Sequence, residues 1–251
     1  MAAHTTGSTK SHVQSSLEQF VLCGVTQTGR SLGSGAYGCV EVLSMDGLEC
    51  AGKRMFPMLV DPRNEGAERI KQKYYKECQL LSSLRHPNIV QFLGVCYLEA
   101  QSSVSTDNLP CLVMEMLQGS LDDLLENTPN IPLTKKCSIL QDVARGLVYL
   151  HGHNPVVIHR DLTARNVLLN SALVAKIADM GNSLIVESDK IVTASTVPGT
   201  LVYMPPEATS TTECRCNSSL DIFSFGHLSL FTLTQDFPQL LPATYKDPKT
   251  G

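Results

Sequence analysis

The chain has no surplus of positive charge: 20 Lys and Arg stand against 24 Asp and Glu, for a net charge of −4. That argues against a general nucleic-acid or anionic-membrane binder, which needs a basic excess to neutralise phosphates. No run of 18 apolar residues occurs, so a direct membrane insertion is not expected. The opening stretch MAAHTTGSTKSHVQSS lacks the apolar region of a secretory signal, and Ala2 stands where a myristoylated chain needs Gly. No C-x-x-C pair is present among the nine cysteines. Their odd number and irregular spacing argue against a disulfide framework or a zinc site. Most lie in apolar runs, where a free thiol acts as a small buried hydrophobe, and this points to a reducing compartment. By elimination the expected location is cytosolic or nuclear, of which cytoplasmic is preferred.

What is present is a globular composition: 43% hydrophobic and 18% charged over 251 residues, enough for one to two domains. Residues 1–19 are rich in Ser, Thr and His and read as a disordered tail. Residues 20–55 have a β pattern, with Asp46-Gly47 between two strand-like runs as a hairpin signal. Over 67–84, Ile70, Tyr74, Cys78, Leu81 and Leu84 recur at helical spacing. Two further strands read out at 89–96 and 110–116, separated by a polar loop. After Gly119 the pattern is mostly helical. Thr134 is the expected N-cap of a helix to His151, with Ile139, Leu140, Val143, Ala144, Leu147, Val148 and Leu150 as its buried stripe.

Three groups of residues carry chemistry. Leu32-Gly33-Ser34-Gly35-Ala36-Tyr37-Gly38-Cys39-Val40 is a G-x-G-x-x-G-x-V string, whose glycines let backbone N–H groups approach phosphate oxygens. A strand pattern follows it, where a Rossmann turn requires a helix, and no G-K-[ST] follows, as a Walker loop requires. Lys53 lies on the next strand and Glu77 on the helix after it. Read alone, Lys53 is either a solvent-facing lysine or a phosphate-gripping one paired with a carboxylate. The third group is His159-Arg160-Asp161-Leu162-Thr163-Ala164-Arg165-Asn166, followed by Asp179-Met180-Gly181. Two separated Asp residues and an Asn divide the work of phosphoryl transfer: one carboxylate orients the attacking hydroxyl, the other oxygen donors hold magnesium.

In this order, and with Pro205-Pro206-Glu207 and Asp221-Ile222-Phe223-Ser224-Phe225-Gly226 after them, these motifs make the chain resemble a eukaryotic protein kinase domain of the tyrosine-kinase-like group. The resemblance implies an α+β, bilobal fold: a β-rich N-lobe with one helix over about 20–116, a hinge at about 115–119 and a mainly helical C-lobe over about 120–251. It implies ATP and Mg2+ as cofactors and a protein as substrate. Gly33, Gly35 and Gly38, with Leu32, Ser34, Ala36 and Tyr37 in the same loop, would cover the ATP phosphates. Lys53 would contact them and pair with Glu77. Val40, Ala51 and Leu168 would pack on adenine, Glu115 and Leu117 would present hinge backbone groups, and Met114 would stand behind the pocket. Asp161 would orient the substrate hydroxyl. Asn166 and Asp179 would bind magnesium. Arg160 is placed to accept a phosphorylated residue of the following loop, where Ser183, Ser188, Thr193, Ser195, Thr196, Thr200 and Tyr203 carry hydroxyls.

The specificity signals point apart. Thr163-Ala164-Arg165-Asn166 resembles the catalytic loop of tyrosine kinases, whereas Gly199-Thr200-Leu201-Val202-Tyr203 resembles the substrate loop of serine/threonine kinases, in which Thr200 approaches Asp161. The mixture favours Ser/Thr over Tyr. There are also departures. Met180 replaces the usual Phe, Phe223 stands where Trp is common, and Pro205 replaces Ala. After the helix expected at 221–234, residues 235–251 have no periodicity, where the family continues with further helices, and no arginine follows Arg215 to pair with Glu207. The C-lobe is therefore expected to be incomplete. The alternative function is a catalytically inactive, truncated module that binds nucleotide or a protein partner.

Overall fold

The structure is a computed structural model that describes residues 17–35, 37–61, 63–98, 109–187, 192–194, 197–209 and 214–236. The chain divides into two compact units, residues 1–117 and 118–251.

The first unit is an antiparallel five-stranded sheet with one long helix. Its strands are β1 (Val25–Ser34), β2 (Gly38–Met45), β3 (Leu48–Met55), β4 (Phe92–Cys96) and β5 (Cys111–Glu115), in the order β1-β2-β3-β5-β4. The expected hairpin joins β2 to β3, with Met45 opposite Leu48 and the two turn residues at φ 50° and 83°, the left-handed pair of a type I′ turn. Helix α1 spans Ala67–Ser83 and buries Tyr74, Cys78 and Leu81 as the periodicity predicts. It also buries Tyr75, Lys71 and Glu77, which the apolar pattern does not mark. The strands expected at 89–96 and 110–116 are shorter, because 86–91 turns before β4 begins at Phe92. Leu17, assigned to the tail by composition, is only 1% exposed, and Phe20 meets the Phe92 ring edge-on at 5.4 Å. Residues 17–20 are therefore packed against the sheet and are not a free tail.

Cross-strand register sorts the sheet into two faces, since opposed residues share a side and neighbours alternate. Val40 opposes Lys53, Val42 opposes Ala51, Ala51 opposes Met114 and Lys53 opposes Leu112, so all six lie on one face. Leu43, Cys50, Cys96, Cys111 and Val113 form a buried cluster on the other face, covered by Leu22, Val25, Met45, Leu93 and Leu98.

The second unit is mainly helical. It contains α2 (Leu121–Asn127), α3 (Leu133–His151), the short α4 (Pro206–Thr209) and α5 (Ser219–Thr234). Small strands tie its loops together: β6 (Gly119–Ser120) with β8 (Val167–Leu169) and β9 (Ala175–Ile177), β7 (Val156–Ile158) with β10 (Leu184–Val186), and β11 (Val192–Ala194) with β12 (Cys214–Cys216). Ser120 caps α2 in a reciprocal capping box with Asp123. Helix α3 starts one residue before Thr134: Pro132 is its N-cap and supplies no side-chain bond, so Thr134 lies inside the first turn and is not the cap. The apolar stripe of α3 is also narrower than expected. Ile139, Val143, Leu147 and Leu150 are buried, but Val148 is 74% exposed. The space on that face goes to Lys136 and Asp142, both buried. Lys136 Nζ donates to Leu233 O at 2.9 Å at the end of α5, and Asp142 Oδ2 accepts Ala175 N at 3.1 Å.

Candidate active site

The first unit holds the phosphate-gripping candidates. Lys53 Nζ lies 2.6 Å from Glu77 Oε1, and the carboxylate side chain is only 7% exposed. Burying a carboxylate without a partner is costly, and the lysine offsets that cost. The helix is fixed to the same strand residue a second way. Tyr74, one turn before Glu77, has its hydroxyl 2.7 Å from Lys53 O and 3.0 Å from Pro110 O, and accepts Leu112 N at 3.1 Å. Burial pushes the Tyr74 phenol well above its ordinary value, so it remains a proton donor.

The glycine-rich stretch joins β1 to β2, with Gly35 N donating to Gly38 O at 2.8 Å. Its three glycines are not alike. A Cβ on Gly38 would overlap the Arg54 carbonyl oxygen, so packing alone demands glycine there. Cβ atoms on Gly33 and Gly35 would meet nothing within 4 Å, which leaves room for a ligand. Leu32 and Tyr37 are exposed, Ser34 ends β1, and Lys73 Nζ stands 5.3 Å over the Tyr37 ring. Ala36 lies outside the described residues. Glu115 is held at the end of β5 by Gln91: Glu115 N donates to Gln91 O at 3.1 Å and Gln91 N donates to Glu115 Oε1 at 2.7 Å. Leu117 is buried.

The second unit holds the catalytic-loop candidates. Asp161 Oδ1 accepts both the backbone N–H and the hydroxyl of Thr200 at 3.0 Å, and Oδ2 accepts Asn182 Nδ2 at 3.1 Å. Asn166 Nδ2 donates to Asp161 O at 2.8 Å, which leaves its amide oxygen for another partner. Asp179 has a left-handed backbone, φ 60°, and its Oδ1 accepts Gly181 N at 3.2 Å. Met180 is 2% exposed, as an apolar filler is. Gly199 brings Thr200 in close: a Cβ there would stand 2.7 Å from Arg160 O. Leu168 is half-buried on β8.

Arg160 is half-buried, and the desolvation pushes its guanidinium down from its ordinary value; its Nε donates to Asn182 O at 2.7 Å. Ser188, Ser195 and Thr196 lie outside the described residues, as do residues 237–251.

Sequence reasoning gave no role to Asp221, Asn182 or His159. Asp221 is fully buried at the start of α5. Its Oδ2 accepts His159 N at 2.8 Å and lies 2.8 Å from His151 Nε2, while Oδ1 accepts Arg160 N at 2.8 Å. One carboxylate thus pins the backbone just before Asp161. His159, fully buried, places Nε2 2.9 Å from Ala178 O, joining that backbone to the residue before Asp179. Asp221 heads a motif visible in the sequence, so its position was available there; its partners, some sixty residues away, were not.

Asn166 and Asp179 offer hard amide and carboxylate oxygens, the donor set magnesium takes when water completes its shell. Among the described residues, no group of three or more His, Cys, Asp or Glu is arranged to hold a metal. A two-donor magnesium site fits within that limit.

The family model for protein tyrosine and serine/threonine kinases matches residues 26–238. The chain is 32% identical over 201 residues to a probable serine/threonine-protein kinase, drkB, of Dictyostelium discoideum, covering 79% of the chain and 26% of that protein. It is 34% identical to interleukin-1 receptor-associated kinase 1 of Bos taurus, over 80% of the chain and 28% of that protein. U-box domain-containing protein 34 of Arabidopsis thaliana is 35% identical, over 88% of the chain and 26% of its own length. The chain thus spans about a quarter of the length of these relatives. By the extent of the family match, this chain belongs to the protein tyrosine and serine/threonine kinase family.

Proposed function

We propose that the chain is the catalytic domain of a protein kinase that transfers the γ-phosphoryl group of ATP to serine or threonine hydroxyls of a protein. The observation that carries the reading is the arrangement around Asp161: a carboxylate bonded to the Thr200 hydroxyl and backed by Asn166. The relatives named as serine/threonine kinases support the choice of hydroxyl.

In this reading Lys53, held by Glu77, grips the ATP phosphates under the loop of Gly33, Gly35 and Gly38. Val40 and Ala51, on the face of the sheet that carries Lys53, give apolar contacts to adenine, and Glu115 and Leu117 give backbone ones. Asp161 orients the acceptor hydroxyl and takes up its proton as the phosphoryl group arrives. Asn166 and Asp179 would hold magnesium, which neutralises the phosphate charge. Thr200 keeps the Asp161 carboxylate aimed and marks the place of a serine or threonine side chain. The nine free thiols support a reducing, cytoplasmic setting.

The test is phosphate transfer from radiolabelled Mg-ATP to a protein acceptor by the purified chain, followed by phosphoamino-acid analysis. Phosphoserine or phosphothreonine that disappears with Asp161→Asn supports the reading. Folded protein that gives no transfer, or transfer that survives Asp161→Asn, overturns it.

A further inference from the structure

On the sheet face away from Lys53, Cys96 and Cys111 are direct cross-strand partners at the ends of β4 and β5. Opposed residues of an antiparallel pair have Cα atoms about 4.5–5.5 Å apart, inside the range of roughly 4.4–6.8 Å that a disulfide spans. Both residues are 2% exposed and belong to the same buried cluster. We propose that Cys96 and Cys111 are a covalent modification site: a reversible intrachain disulfide formed by a peroxide oxidant.

The pair is chemically asymmetric. The interaction between the two thiols lowers one and raises the other: Cys96 is held below its ordinary value and Cys111 above it. In the proposed reaction Cys96 is the attacking sulfur and Cys111 the resolving one. The Cys96 sulfur attacks one oxygen of hydrogen peroxide, the O–O bond breaks, and the departing hydroxide leaves as water with the thiol proton. The sulfenic acid on Cys96 is then attacked by the Cys111 sulfur. The S–S bond forms, and the sulfenic oxygen leaves as a second water with the Cys111 proton. Two thiols are oxidised and one peroxide is reduced to two waters. Cys50 sits in the same cluster, but its thiol donates to Leu43 O at 3.6 Å and burial holds it up, so it is the poorer nucleophile. The side chains over the cluster, Leu22 and Leu98, are only partly buried, so a molecule as small as peroxide needs side-chain motion rather than unfolding to reach it.

The experiment treats the reduced, folded chain with hydrogen peroxide, caps remaining thiols with a maleimide and maps the peptides without reduction. The expected result is a Cys96–Cys111 crosslinked peptide, lighter by two hydrogens and reversed by a dithiol. In Cys111→Ala, dimedone is expected to label Cys96; in Cys96→Ala the crosslink disappears. The oxidised chain is expected to melt about 5 °C or more higher than the reduced one, since the bond closes a loop of unfolded chain. The proposal is overturned if Cys96 and Cys111 stay capped while the exposed Cys137 oxidises, or if either pairs with Cys50 instead. The peptide map reads wild-type protein, so the outcome stands even if a variant misfolds.

Discussion

Asp161 Oδ1 receives two hydrogen bonds from one residue, Thr200, through its backbone N–H and its hydroxyl, each at 3.0 Å. The hydroxyl bond is the replaceable one. Thr200→Ala is expected to lower kcat on a serine substrate roughly 10–100-fold, because a hydrogen bond to a charged group is worth about 1.5–3 kcal/mol. Thr200→Ser, which keeps the hydroxyl, is expected to stay within a few-fold of the parent. Steady-state kinetics of the two variants side by side checks this. Equal losses would show that the methyl group, not the hydroxyl, matters.

Lys53 and Glu77 differ in what they leave behind when replaced. Lys53→Met removes both the proposed phosphate contact and the partner of a buried carboxylate. Transfer is expected to fall by about 100-fold or more, as when a charge-stabilising donor is lost. Glu77→Gln keeps an oxygen to accept from Lys53 Nζ and loses only the negative charge, so a smaller fall is expected. A fluorescent ATP-analogue titration run beside the kinetics separates weakened binding from weakened transfer.

Asp221 serves three donors from a fully buried site. Asp221→Ala strands two backbone N–H groups and is expected to destabilise the chain by about 3–5 kcal/mol, the range for one partner lost from a buried charged network. Asp221→Asn turns an amide NH2 toward a backbone N–H, and the cost expected is about 1–3 kcal/mol. Urea denaturation monitored by circular dichroism measures both. If Asp221→Ala proves neutral, the carboxylate does not organise the loop.

The α2 cap gives a pH prediction. Asp123 Oδ2 accepts the Ser120 hydroxyl at 2.6 Å and its backbone N–H at 2.9 Å, and these bonds hold the carboxyl below its usual range. The folded pKa is depressed, so the cap's contribution is full above the unfolded value of about 3.9 and is lost as pH falls through the lower folded value. Protection of the first-turn amides of α2 should therefore persist to about pH 4 and fade below it, as hydrogen exchange can follow. Ser120→Ala is expected to cost about 1 kcal/mol and to return Asp123 toward its ordinary titration.

The sequence carried the candidate site residues and part of the fold. Asp46-Gly47 specifies its turn locally, and Lys53 and Glu77 belong to motifs whose order is itself informative. The two-residue alternation of β2, β3 and β5 then brings Val40, Ala51, Lys53 and Met114 to one face without further instruction. What stayed hidden depends on distant partners. Lys136 is charged on a helix and reads as solvated, yet α5, nearly a hundred residues later, supplies the carbonyl that buries it. Val148 reads as core because it is apolar, yet it turns outward. Asn182 follows a familiar motif but meets Asp161 only once β7 and β10 have paired.

Tyr74 and Glu77 grasp the same residue of β3 at its main chain and at its tip. Two attachments one turn apart fix more than distance: they oppose any roll of α1 about its own axis, since a roll that kept one would break the other. A change that tilts α1 must therefore strain a backbone contact of the sheet as well as the lysine, which couples helix posture to strand geometry through one residue.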